Sequence, residues 1–277
     1  MIGRILGRMK ASENSVIHKI GCYFSWLWLF RYMYTGMVKK EFKGRYRNSV
    51  LGYFWHLLTP IVLIITYYVM FNVIFGRGIP NYWLYLSSGV FAFSVLMGSI
   101  TGGCGMIISS AGMVTKTVFP REIIVFAKVT VNLITALISY AIIIVLCIIM
   151  GNLTINMILF PICVILLFLM SGGIALLLSS LCVYQRDLQY IISSVSICFM
   201  FATPIFYMPN QINSGLLHTI NVVNPLTYMV EAFHNVIYYG NGVSMINFLI
   251  CLLISVSIFM LGLFVFKKLE KKFAERL

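Results

Sequence analysis

Lys39-Lys40-Glu41-Phe42-Lys43-Gly44-Arg45-Tyr46-Arg47 runs straight into Leu51 to Phe75, a stretch without a single Asp, Glu, Lys or Arg. About 20 apolar residues suffice for a helix to cross the hydrocarbon core of a bilayer, and a basic flank holds that end in the cytoplasm. Trp55, His56 and Pro60 lie in the first half of this span. From this anchor the rest of the chain can be threaded.

Composition agrees with the anchor. The 277 residues are 61% hydrophobic and 10% charged, with a mean hydropathy of +0.97, which no single soluble core can hide from water. The chain is therefore read as an integral membrane protein. A net charge of +13 raises the question of a nucleic-acid partner, but the cations gather at span ends rather than on one stripe. No nucleic acid is expected, and anionic lipid head groups are the counter-charge. The seven cysteines form no CxxC and mostly fall inside apolar spans, where free Cys acts as a small hydrophobe, so neither disulfide nor metal is read from them. The N-terminus lacks a basic, apolar and small-residue cleavage pattern, and no removable signal peptide is expected.

Six spans emerge: Leu51 to Phe75, Tyr82 to Ile108, Val129 to Met150, Met157 to Val183, Leu188 to Tyr207 and Ile246 to Phe266. Charge tests the threading. Residues 1–50 carry ten Lys and Arg, 109–128 carry three, 184–187 one and 267–277 five, and only Arg77 falls on the other side. That asymmetry puts both termini in the cytoplasm of a multi-pass protein. The organisation expected is a cytoplasmic N-terminal segment 1–50, a six-span domain 51–267 and a cytoplasmic tail 268–277.

Two further segments are apolar without being spans. Cys22 to Val38 is interrupted by Arg31 and would, if it crossed, carry the 39–47 cluster outside. It is read as an amphipathic helix in the interface, with Trp26, Trp28, Tyr32 and Tyr34 at head-group depth, the alternative being a seventh span. Residues 208–245 hold Leu216 to Val223 and Leu226 to Tyr239 around Asn224-Pro225. Those lengths suit a re-entrant helical hairpin, and a plain surface loop is the other reading.

The search for catalytic chemistry is mostly negative. Asp187 is the only aspartate, so no DxD site exists for a nucleotide sugar. Glu122, Asp187 and Glu231 fall in three different predicted loops, which gives no carboxylate pair. The histidines lack ligand spacing. No Gly-Lys dipeptide occurs, so a Walker A loop is absent and any ATP is bound by another chain. The six spans hold no Asp, Glu, Lys or Arg, which argues against proton- or sodium-coupled transport.

Four ordered motifs then meet a family. Arg45-Tyr46-Arg47-Asn48-Ser49-Val50-Leu51-Gly52-Tyr53-Phe54-Trp55, followed by Pro60, resembles the start of the first span in permease subunits of ABC transporters (ABC-2 type) that export O-antigen, capsule or teichoic acid. Lys116-Thr117-Val118-Phe119-Pro120-Arg121-Glu122 resembles that family's cytoplasmic segment after span two. Tyr184-Gln185-Arg186-Asp187-Leu188 is similar to its turn between spans four and five, and Asn224-Pro225-Leu226 to its outer gate, to which Tyr228 and Glu231 would also belong.

The resemblance implies a homodimer of six-span subunits docking two copies of an ATP-binding cassette subunit. This chain itself would bind no cofactor, ATP and Mg sitting on the partner. Segment 109–122 is then the coupling element, with Lys116, Phe119, Pro120, Arg121 and Glu122 as contacts and Arg186 and Asp187 as a second one. The cargo implied is a polyprenyl-diphosphate-linked glycan crossing the bacterial inner membrane. Arg45 and Arg47 suit its diphosphate, because guanidinium groups fork onto phosphate oxygens; plain anchoring is the other role open to them. Tyr67, Tyr68, Phe71, Phe91 and Phe93 offer aromatic faces for sugars. Glycines 98, 102, 103, 105, 172 and 173 permit close helix approach, within one chain or between two. The alternatives kept open are an ABC efflux permease for a smaller lipid or drug, and a membrane-embedded glycan-modifying acyltransferase.

Overall fold

The computed structural model describes residues 28–45, 54–74, 79–209, 215–240 and 245–277, and every regular element among them is helical. Helix α1 (Arg31–Gly44) precedes the bundle. Helix α2 (Trp55–Tyr68) continues into a π-helical turn, Val69–Ile74. Pro60 inside α2 has no N–H for the carbonyl of residue 56, which weakens the helix at that level. Helix α3 spans Tyr82–Cys104 and stops at Gly105, so the predicted second span is broken there. Two short helices follow, α4 (Met106–Ser109) and α5 (Ala111–Lys116). The chain is then extended at Thr117 before α6 (Glu122–Ile149). Gly151, at φ +69, closes that helix in the left-handed conformation a side chain would resist.

A 3-10 turn, Ile155–Leu159, leads into α7 (Phe160–Tyr184). Helix α8 (Leu188–Ala202) is shorter than the span predicted to reach Tyr207. Pro204 is the reason: it pushes Thr203 to φ −102 and ψ 139, outside the helical region. Residues 203–206 then run buried against the bundle. Helices α9 (Gly215–Val223) and α10 (Pro225–His234, with a π-helical turn Asn235–Tyr239) meet at Asn224, whose side chain caps α10 by accepting from Leu226 N at 3.0 Å. Helix α11 (Met245–Leu269) ends the bundle, followed by a 3-10 turn and α12 (Phe273–Arg276).

Among the described residues, four helical stretches are long and apolar enough to cross a bilayer: Tyr82–Cys104, Glu122–Ile149, Ile155–Tyr184 and Met245–Lys272. The first and fifth expected spans correspond to shorter apolar helices, Leu58–Ile74 and Leu188–Ala202. At 1.5 Å per residue the 15 residues of α8 reach only about 22 Å.

Helix α3 is the centre of the bundle, with 17 of its 23 residues buried, packed on α2, α6, α7, α8 and α10. Helix α11 is the opposite case. Only Cys251, Ser255, Gly262 and Phe266 are buried, one stripe along α7. Small residues on that stripe let backbones approach, which is what drives helix association where lipid is as apolar as protein. The glycines listed for close approach act within the chain: Gly103 faces Ala175 of α7, Gly98 faces Asn132 and Gly173 faces Phe259. Several serine hydroxyls in the bundle are satisfied within their own helix, as where Ser171 and Ser255 donate to Leu167 O at 2.6 Å and Cys251 O at 2.7 Å.

Candidate functional site

Positive charge converges at the end of the bundle where α1 meets α6. The basic run 39–44 is helical, forming the second half of α1, and it is docked rather than free. Tyr34 shares a short hydrogen bond with Thr130, and Lys128 pairs with Glu41 at 3.1 Å. Burial pushes the Tyr34 phenol above its ordinary 10.0, the bond to Thr130 opposing. Tyr34 is therefore turned onto α6 rather than toward head groups. Trp28 and Tyr32 do face outward, with Arg31 stacked 5.2 Å and 4.8 Å from their ring centres. Residues 22–27, with Trp26, and residues 46–53, with Arg47, lie outside the described residues.

Arg45 reaches from the end of α1 to α6, donating to Asn132 Oδ1 and to Thr135 Oγ1 at 3.2 Å. Asn132 is buried, and its amide donates to Ser99 Oγ of α3 at 3.1 Å. Arg45, Asn132 and Thr135 border a cavity of about 450 Å³. Lys128, Thr101 and Ser139 add polar atoms to its wall, while Trp55, Pro60 and Phe91 form an apolar one. Sequence spacing hides this site. Lys128 stood outside the predicted third span, yet α6 begins at Glu122 and carries it inside the helix.

The cavity shares Leu63, Val90 and Ser94 with a second one of about 240 Å³ between α2, α3 and α8, where Tyr67, Phe93 and Phe206 stand. So Tyr67, Phe91 and Phe93 line one track. Tyr68 and Phe71 do not line it: Tyr68 lies 6.4 Å from Tyr82, and Phe71 stacks on Phe206 at 4.7 Å.

Behind Ile205 and Phe206, which border the second cavity, lies a buried polar knot that sequence reasoning missed, because its bonded partners are up to 146 positions apart. Tyr85 donates to the carbonyls of Pro204 and Tyr207 at 3.0 and 2.7 Å, and Tyr82 to that of Phe206 at 2.9 Å. His234 lies flat on Tyr85 at 4.0 Å, with Ser88 Oγ 2.8 Å from Nδ1 and Pro204 O 3.2 Å from Nε2. A carbonyl only accepts, so Nε2 carries the proton toward Pro204 O, while the single Ser88 hydroxyl hydrogen is shared between Nδ1 and Tyr85 O, 2.8 Å from each. Asn224 joins the same knot through Thr203 Oγ1 at 3.0 Å. Pro225 is at the first turn of α10, Tyr228 donates to Val222 O at 3.0 Å, and Glu231 is half-buried on α10. The Tyr85→Phe variant removes the one hydroxyl hydrogen that the Pro204 and Tyr207 carbonyls share, Pro204 O keeping His234 Nε2–H, and is expected to cost about 2 kcal/mol. Thermal unfolding in detergent would check this, and an unchanged midpoint would mean the knot contributes nothing to stability.

At the basic end, the turns after α3 and α7 are unlike in exposure. Lys116, Thr117 and Val118 are exposed, Val118 at 97%, whereas Phe119, Pro120 and Glu122 are buried and Arg121 is half-buried. Arg186 and Asp187 are exposed. Nothing in the sequence singles out Val118, since an apolar tip on a solvated turn has no periodic signal.

Apolar helices around a cation-lined cavity, with polar turns collected at one end, define a multi-pass membrane protein. Residues 32–238 match the family described as ABC-2 type transporter. The chain belongs to that family. It is 30% identical over 242 residues to an O-antigen export system permease protein RfbA of Klebsiella pneumoniae, covering 86% of this chain and 92% of that one. A Myxococcus xanthus protein of the same description is 27% identical over 214 residues, covering 76% and 82%. Membership of the family implies an ATP-binding cassette partner and a transport subunit rather than an enzyme.

Proposed function

We propose that this chain is the permease subunit of an ATP-driven exporter that moves a polyprenyl-diphosphate-linked polysaccharide, of the O-antigen, capsule or teichoic-acid kind, across the bacterial inner membrane. The observation that carries the reading is the cavity in which Arg45 and Lys128, with Asn132 and Thr135, face Trp55 and Phe91. Cations and amide or hydroxyl donors suit a diphosphate, and aromatic faces suit sugar rings. The track toward Tyr67 and Phe93 gives the polymer a direction. A smaller lipid or drug as cargo remains the second reading within the family, favoured by the modest size of each cavity.

In this reading α2 and α8 complete a six-span subunit, and α9 with α10 is a hairpin re-entering the outer leaflet. Both termini lie in the cytoplasm, as the basic end requires. Helix α8 has no buried residue in one chain, which supports a second copy covering α2 and α8. Two ATPase subunits, carrying ATP and Mg, dock on Lys116, Thr117 and Val118, with Arg186 and Asp187 beside them. Arg47 would join Arg45 at the diphosphate.

The test is export in membrane vesicles holding permease and ATPase. Arg45→Gln should lower glycan export about tenfold or more, at equal permease abundance. Export at the wild-type rate would remove the diphosphate from this cavity.

A further inference from the structure

The segment that follows α11, expected to be a plain tail, is the most engaged part of the basic end. Phe273 of α12 is fully buried, edge-on to Phe266 at 5.5 Å, in a cluster with Val114 and Phe119 of the coupling segment. Arg121 donates to the carbonyl of Glu270, and its guanidinium stands 5.9 Å from the Phe273 ring. Lys267, at the end of α11, pairs with Glu122 at 2.9 Å and with Glu270 at 3.2 Å. The Glu122 side chain is 0% exposed. On the other turn, Tyr184 donates to Leu269 O at 3.2 Å, and Arg276 lies 5.7 Å from the Tyr184 ring.

A single short segment therefore touches both turns that the ATPase would meet. The stretch between α5 and α6 has extended backbone at Thr117 and no helical ladder to stiffen it. Its stiffness comes from what it packs on, which is Phe273 and the Lys267–Glu122 pair. A buried carboxylate that loses a paired cation is strongly disfavoured, so this pair holds α6 and α11 together firmly.

We propose that residues 267–276 form a strut that fixes the coupling segment to α11, making Lys267 and Phe273 positioning residues for turning ATP hydrolysis into transport. This rests on the reading of segment 109–122 as the ATPase contact. Val118, Lys116 and Thr117 then meet the ATPase, while Phe119, Arg121 and Glu122 face the strut.

The experiment uses the full permease reconstituted in vesicles with its ATPase, and reads glycan exported per ATP hydrolysed, normalised to permease present. Lys267→Met and Phe273→Ala should each retain the ATPase yet lower this ratio about tenfold. Exchanging the pair, Lys267→Glu with Glu122→Lys, should return most of what Lys267→Met loses. A wild-type ratio in Lys267→Met overturns the strut. If Phe273→Ala is not recovered from membranes, the Lys267 variants carry the test alone. Failure of the wild-type chain to retain any ATPase would instead overturn the exporter reading itself.

Discussion

Replacing Gly262 with alanine is expected to destabilise the bundle by about 3 kcal/mol, the upper end of what overpacking costs. A Cβ at 262 would stand 2.8 Å from the carbonyl carbon of Gly173 and 3.0 Å from its Cα. Both obstacles are backbone, which cannot rotate aside as a side chain can. The relation is nearly mutual, since a Cβ at Gly173 would lie 2.6 Å from the Cα of Phe259. Helices α7 and α11 must then separate along the whole stripe that holds α11, and that helix has few other buried contacts. Membrane abundance should fall, and the melting midpoint in detergent should drop by roughly 5–10 °C. A Gly262→Ala protein that melts with the wild type would mean the two helices slide apart at no cost.

Asn132→Asp is expected to abolish export nearly as fully as Asn132→Leu, though only the second removes the hydrogen-bond acceptor. Asn132 accepts from Arg45 and donates to Ser99, so its carbonyl orients the guanidinium without neutralising it. Aspartate keeps the shape and adds a charge that competes with phosphate for the same fork. Hydrogen bonds to charged groups contribute about 1.5–3 kcal/mol, so a loss of between about tenfold and a hundredfold in export follows. If Asn132 were only a structural prop, aspartate would hold Arg45 better than asparagine and export would survive. Export rates at equal membrane abundance separate the two.

The two predictions draw on parts of the chain that differ in how far the sequence discloses them. Long spans with charged ends announce themselves, because hydropathy and the distribution of Lys and Arg are summed over many residues and no single one decides the answer. The break at Asn224-Pro225 is equally open to reading, since proline acts on its neighbour's backbone. Pro204 carries the same signal, yet the apolar run Ile205, Phe206 and Tyr207 hid the end of α8. Side-chain direction on the irregular turns cannot be read at all. Phe119 points in and Val118 out because of Phe273, about 150 residues further on, and no local pattern records that distance. The Arg45 site has the same character: its partners on α6 are 87 and 90 positions away.

The serines of α8 bear on how the proposed polymer would be held. Ser193, Ser194 and Ser196 donate their hydroxyl hydrogens back to carbonyls of their own helix, at 2.9, 3.0 and 2.6 Å. What these side chains turn outward is oxygen lone pairs. If the proposed polymer passes Ser196, which borders the second cavity, its hydroxyls would find an acceptor there rather than a donor that locks them in place. Such a surface would wet a polymer without setting its register, and a chain of any length could then pass by small, equivalent exchanges.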